Sequence, residues 1–302
     1  MTSRPLGIWP MLYAFFDQAG ALDRPAMRRQ VEACVREGAH GLAVLGLATE
    51  VNKLSDAEKR TLVSWVAEDL DGRRPFAVTV TGSTPDEQIT FARLAADAGA
   101  AYVILQPPRG ETPDEPTLTR FFGAVADASP IPVGIQNAPE YLGVGLGPTA
   151  IRTLHRNHPN VVMVKGEASV TAIRQIVEAT DGGIAVFNGR GGLELPDNLR
   201  AGCDGMIPAP DFFDRQVRIF GLMRTRDDAE NEEVAENLYR EILPGIVFVM
   251  QSLDALVCYG KRIAAWRLGL RGEIHDRAPG LAPTAFGLEC ARRFATALGP
   301  LA

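Results

Sequence analysis

Eight short apolar runs, rich in β-branched or aromatic residues, recur along the chain with longer amphipathic segments between them. They cover residues 7–13, 41–45, 76–81, 102–106, 133–136, 161–165, 184–188 and 205–207. Strands that alternate with helices in this way build a parallel sheet, because each helix carries the chain back over the sheet to start the next strand. The helical periodicity is plain over residues 24–37, 56–70, 85–98 and 170–180, where apolar side chains return every three or four positions.

Three of the helix ends share a pattern in which a glycine follows the last turn and the next apolar run begins at once: REGAHGLAVLG, ADAGAAYVILQ and LRAGCDGMIPA. Glycine supplies the left-handed residue that turns a helix back toward the sheet. An open doubly wound sheet would show the same cues, but the count of eight favours closure into a (β/α)8 barrel. Such a barrel takes about 250 residues, and the chain has 302. From Asp211 the strand signal stops and the text stays helical to the end. The expected organisation is a barrel over residues 1–225 and a small helical appendage over residues 226–302.

Several function classes fit poorly. The net charge is −6, opposite to the basic footprint of a nucleic-acid binder. No apolar run reaches the ~18 residues of a membrane span, and the first residues lack the charged head and apolar stretch of a secretion signal. A cytoplasmic protein is expected. Cys34, Cys203, Cys258 and Cys290 form no CxxC pair, so buried, reduced thiols are the default. The histidines at 40, 155, 158 and 275 have no zinc-ligand spacing, and neither a GxSxG elbow nor a Walker loop occurs. No metal and no cofactor are expected.

A barrel enzyme works at the C-terminal ends of its strands, which directs attention to residues 47–50, 106–109, 136–139, 165, 188–192 and 207–210. Of 31 basic residues only Lys53, Lys59, Lys165 and Lys261 are lysine, and only Lys165 closes an apolar run, VVMVK. A lysine held partly desolvated at a barrel mouth loses its preference for the ammonium and offers a free amine for attack on a carbonyl. One that snorkels to solvent or pairs with Glu167 has the same sequence, and position alone does not separate the two. Lys53, Lys59 and Lys261 are expected at the surface. Gly46 to Glu50 forms a turn before a Ser55 capping box. Its amides and the Thr49 hydroxyl suit a carboxylate as well as they suit a plain loop. Residues 188–192, NGRGG, are equally an anion nest or a flexible turn.

Taken together these motifs resemble the dihydrodipicolinate synthase and N-acetylneuraminate lyase family of class I aldolases, over nearly the whole chain. In that family a GTTGE motif after strand two binds the substrate carboxylate, and Gly46-Leu47-Ala48-Thr49-Glu50 stands in its place. Gln136-Asn137-Ala138-Pro139 replaces a YNxP motif. The Schiff-base lysine matches Lys165, the glycine after strand seven Gly189, and the isoleucine of strand eight Ile207. The resemblance implies a small 2-keto acid as substrate, Lys165 as nucleophile, and a homo-oligomer, a dimer or tetramer.

The departures bear on the substrate. Gln136 occupies the place of a tyrosine that relays protons in many members, and an amide is no acid or base at neutral pH. Tyr141 replaces an arginine that binds the aldehyde's carboxylate, and Pro107-Pro108-Arg109 replaces a tyrosine pair. The QxAP motif, the Pro-Pro pair and Lys165-Gly166-Glu167 are similar to the branch of L-2-keto-3-deoxyarabonate dehydratases. Dehydration of a 2-keto-3-deoxy sugar acid is therefore the expected reaction, with Lys165, Gln136, Thr49 and Glu167 as the catalytic candidates. Leu47, Ala48, Gly189, Ile207 and Arg109 are the candidates for holding substrate. Two alternatives stand: a pyruvate-dependent aldolase, and a barrel that binds keto acids without turnover.

Overall fold

The structure is a computed structural model and describes residues 4–225 and 229–301. Its strands are β1 (Gly7–Ile8), β2 (Leu42–Val44), β3 (Phe76–Val80), β4 (Tyr102–Leu105), β5 (Val133–Asn137), β6 (Val161–Gly166), β7 (Ala185–Asn188) and β8 (Gly205–Met206). All pair in parallel, in the order β1-β8-β7-β6-β5-β4-β3-β2. The ring closes where Met11 bridges Ala43 and the Leu12 amide donates to the Ala43 carbonyl at 2.9 Å.

Each apolar run of the sequence holds one strand. The first is regular over only two residues because Pro10 and Pro208 have no amide to give the ladder. The Trp9 and Met11 amides nevertheless continue it, to the carbonyls of Met206 at 2.9 Å and Pro208 at 2.7 Å.

Around the barrel run α1 (Arg24–Arg36), α2 (Asp56–Leu70), α3 (Pro85–Asp97), α4 (Glu115–Ala128), α5 (Pro139–Leu142), α6 (Pro148–Asn157), α7 (Val170–Thr180), α8 (Leu195–Arg200) and α9 (Phe213–Met223). Asp23, Ser55, Thr84 and Asp114 each accept a first-turn amide of α1 to α4 through the side chain, which satisfies donors that the helix itself cannot. Gly38 (φ 81°) and Gly99 (φ 89°) take the left-handed conformation expected after α1 and α3.

The C-terminal part is helical, with α10 (Ala229–Val249), α11 (Leu253–Ala255), α12 (Lys261–Arg267) and α13 (Ala285–Leu298), and a π-helical turn, Leu256–Gly260, joins α11 to α12. The expected boundary between residues 225 and 226 abuts residues outside those described. Arg267, fully buried, ties this part to α9: its guanidinium grips both Asp214 oxygens at 2.8 Å and donates to the carbonyls of Asp211 and Gly299. Among the described residues no single helix is long and apolar enough to cross a membrane. Residues 229–249 and 253–267 pass that test only as a pair bent by 108°.

Lys261 corrects an expectation. The sequence puts it on the surface face of an amphipathic helix, yet its side chain is 0% exposed and its ammonium is clasped by Glu50 from the turn after β2. The partner lies 211 residues away, beyond the reach of any local pattern. Lys59 too is buried, on α2 with Asp56 at 2.9 Å.

Candidate active site

The site begins with register. Lys165 on β6 lies opposite Gln136 on β5 and Phe187 on β7, so the last inward positions of three strands converge. Lys165 is 4% exposed and Glu167 3%; the ammonium does not snorkel out but meets Glu167 Oε1. The pairing that the sequence set against catalysis is thus present, and the pair opens onto a pocket. Gly189 makes the arrangement possible, since a Cβ there would fall 2.8 Å from Glu167 Cγ and 2.9 Å from Lys165 Cε. The Glu167 amide donates to the Asn137 carbonyl at 2.9 Å, which fixes the exit of β6 against β5.

Gln136 does not line the pocket. It stands behind Glu167 and donates from Nε2 to Glu167 Oε1 at 2.8 Å. Leu47 and Ala48 border the pocket from the turn after β2, which is bracketed by the left-handed residues Leu45 (φ 65°) and Glu50 (φ 57°). Backbone in that region is costly for a side-chain-bearing residue and tends to be kept where a site needs it. Gly189 and Ile207 complete the predicted lining.

Two candidates lie elsewhere. The Thr49 hydroxyl is buried and donates its proton to the Leu12 carbonyl at 2.6 Å. Arg109 is exposed and borders two outer clefts, among residues such as Thr81, and not the pocket of Lys165. Neither is brought to the lysine.

The sequence reading passes over two features of the pocket. Tyr141, noted only as a replacement, borders it beside Glu167, with the Arg190 guanidinium as a neighbour. Burial, and then the nearby Glu167 charge, push the Tyr141 phenol above its usual range, so its hydroxyl stays a donor at neutral pH. Met250, Leu253 and Leu256 come from the C-terminal helices and close the pocket with apolar surface. A one-turn helix after β5 signals the tyrosine weakly; nothing local signals the C-terminal contribution. Among the described residues no cluster of three or more His, Cys, Asp or Glu is placed to hold a metal ion.

Comparison with known proteins fits this geometry. Residues 4–255 match the profile of the Dihydrodipicolinate synthetase family. The chain belongs to that family. YagE of Escherichia coli K12, whose name proposes a 2-dehydro-3-deoxy-D-gluconate aldolase, is 29% identical over 224 residues, spanning 73% of this chain and 74% of YagE. A 4-hydroxy-tetrahydrodipicolinate synthase of Methanothrix thermoacetophila is 32% identical over 202 residues, 67% of this chain and 68% of the synthase. The crystal structure of a dihydrodipicolinate synthase from Rhodopseudomonas palustris superposes with a TM-score of 0.86 at 25% identity, covering 98% of this chain and 99% of the other. As a member of the dihydrodipicolinate synthetase family the protein is a class I lyase, of the kind that includes aldolases.

Proposed function

We propose that the protein binds a 2-keto acid as a Schiff base on Lys165 and eliminates water from a 2-keto-3-deoxy sugar acid such as L-2-keto-3-deoxyarabonate. The observation that carries this reading is the buried contact between Lys165 and Glu167 at the floor of a largely apolar pocket. The carboxylate that holds the ammonium is placed to take its proton and free the amine for attack on C2. The proton Glu167 took leaves with the adduct's C2 hydroxyl as water, which restores the carboxylate and gives an iminium that acidifies C3. Glu167, two residues from the lysine, then accepts the C3 proton to leave an enamine. When the enamine expels the C4 hydroxyl, that proton departs with it as water. The substrate carboxylate is assigned to the Leu47 and Ala48 backbone, and Tyr141 donates a hydrogen bond to the hydroxylated end.

The tyrosine's absence at position 136 supports elimination over cleavage. Retro-aldol cleavage needs a base at the C4 hydroxyl, and neither the Gln136 amide nor a phenol pushed above its usual range provides one. Cleavage to pyruvate is the second reading, favoured by the similarity to YagE, which has been crystallised in complex with pyruvate. A homo-oligomer in the cytoplasm fits both; the four cysteines are buried and free of disulfides, as a reducing compartment favours.

The test has two stages. Borohydride reduction in the presence of pyruvate should leave a mass adduct on Lys165, and its absence would sink the Schiff base. Turnover of 2-keto-3-deoxyarabonate should then yield a product lighter by one water; pyruvate detected by lactate dehydrogenase would instead establish cleavage.

A further inference from the structure

Behind Glu167 runs a line of buried amides. Gln88 on α3 donates from Nε2 to the backbone carbonyl of Gln106 at 2.9 Å. Gln106, just past β4, donates from its own Nε2 to Gln136 Oε1 at 2.8 Å. Gln136 donates in turn to Glu167 Oε1 at 2.8 Å. All three glutamines are buried, and the line ends on a carboxylate that touches the lysine rather than on a backbone group.

An amide has two unlike faces, one donating and one accepting, whereas an ionised carboxylate can only accept. Which face Gln136 turns to Glu167 is decided at its other end. With Gln106 donating to the Gln136 oxygen, the Gln136 NH2 is left for Glu167. Reversed, the Gln136 oxygen would oppose a carboxylate oxygen, and the contact would hold only if Glu167 carried a proton. We propose that Gln106 is a positioning residue that acts through Gln136 to keep an amide donor against Glu167, holding that carboxylate ionised and turned toward Lys165. The inference rests on the reading of Glu167 as the proton carrier.

The backbone around Gln106 matches such a role. Its amide donates to the Val80 carbonyl at 3.0 Å and its carbonyl accepts Gln88, so the residue is clamped from β3 and α3 while its side chain points to β5. A hydrogen bond that only satisfied buried groups would matter to stability alone. One that orients the proton carrier also sets how fast protons leave C3 and over which pH range.

The experiment is hydrogen–deuterium exchange of the pyruvate methyl group in D2O, followed by NMR on the full chain, beside borohydride trapping of pyruvate. Exchange reads the passage of a C3 proton to the protein and back and needs no knowledge of the natural substrate. In Gln106→Leu the Lys165 adduct should persist while exchange slows roughly ten- to a hundredfold, and the acid limb of its pH profile should move to higher pH. Gln106→Glu, nearly isosteric, recruits the Gln136 NH2 to itself and turns the oxygen on Glu167; it should lose at least as much. A Gln106→Leu/Gln136→Leu double variant should be no slower than Gln136→Leu alone.

Should Gln106→Leu fail to fold, Gln106→Glu carries the test. Wild-type exchange rates and pH profile in a folded Gln106 variant, or additive losses in the double variant, would overturn the positioning role and leave the Schiff-base reading intact. A wild-type protein that neither traps pyruvate nor exchanges its protons would overturn both.

Discussion

Among the described residues two lysine–glutamate pairs have both side chains buried, and they differ in what surrounds them. Lys261 and Glu50, 0% and 1% exposed, are saturated. Glu50 gives its second oxygen to Lys53 at 2.6 Å, Lys261 has Asp276 at 3.7 Å, and the Phe16 ring lies 5.2 Å from the ammonium. The pair joins the turn after β2 to α12 and does not border the pocket of Lys165. The Lys165 and Glu167 side chains are scarcely more exposed, at 5% and 4%, but among the described residues neither forms a second ion pair. Their partner is an amide, and the remaining side of the pair faces a cavity. Burial alone therefore does not make a lysine chemical. An unspent carboxylate and adjoining space distinguish the pair proposed for chemistry.

Lys165→Ala should separate the pairs most sharply, abolishing both the borohydride adduct and turnover while the fold persists by circular dichroism. Glu167→Gln should still trap pyruvate, with turnover reduced by about 10²- to 10⁴-fold, the usual worth of a positioned acid or base. At the other pair the damage should appear in stability. Lys261→Met leaves Glu50 buried with one cation fewer and should cost about 3–5 kcal/mol in denaturant unfolding, while the folded fraction still forms the Lys165 adduct. If that adduct vanished with the fold intact, the division between a structural and a chemical pair would fail.

Asp211 extends the contrast to a carboxyl with no cation for its free oxygen. Complete burial raises its pKa to about 7, and Oδ2 has no hydrogen-bond partner among the described residues. The folded state therefore holds this proton more tightly than the unfolded one. The resulting stability is whole below about pH 4 and is lost as pH rises toward about 7. Asp211→Asn, which cannot ionise, should gain in melting temperature over wild type as pH goes from about 4 to about 8; an equal difference at both ends would remove the assignment. The smallest effect belongs to Tyr141→Phe, a rise of roughly three- to tenfold in KM with kcat nearly unchanged, as loss of one hydrogen bond to substrate predicts.

These contrasts also mark how far the sequence could be read. The eight strands were legible because burial on both faces makes each an apolar run, and α2 and α7 agree to the residue at 56–70 and 170–180. Lys165 stood out because a charge closing such a run conflicts with its surroundings. The partners of Lys261 and the donors behind Gln136 were hidden because they meet across the barrel, where neither period 2 nor period 3.6 carries information. Gln106 reads in sequence as an ordinary polar residue after a strand. Arg109 shows the opposite failure: adjacency to a strand end placed it in the site, and the direction of the loop carried it outward.

Met250, Leu253 and Leu256 wall a chamber whose lysine was laid down some eighty-five residues earlier in the chain. A polypeptide halted after β8 would possess every strand and the lysine, yet lack the apolar wall these three residues supply, so the chamber is completed only by the last quarter of the protein.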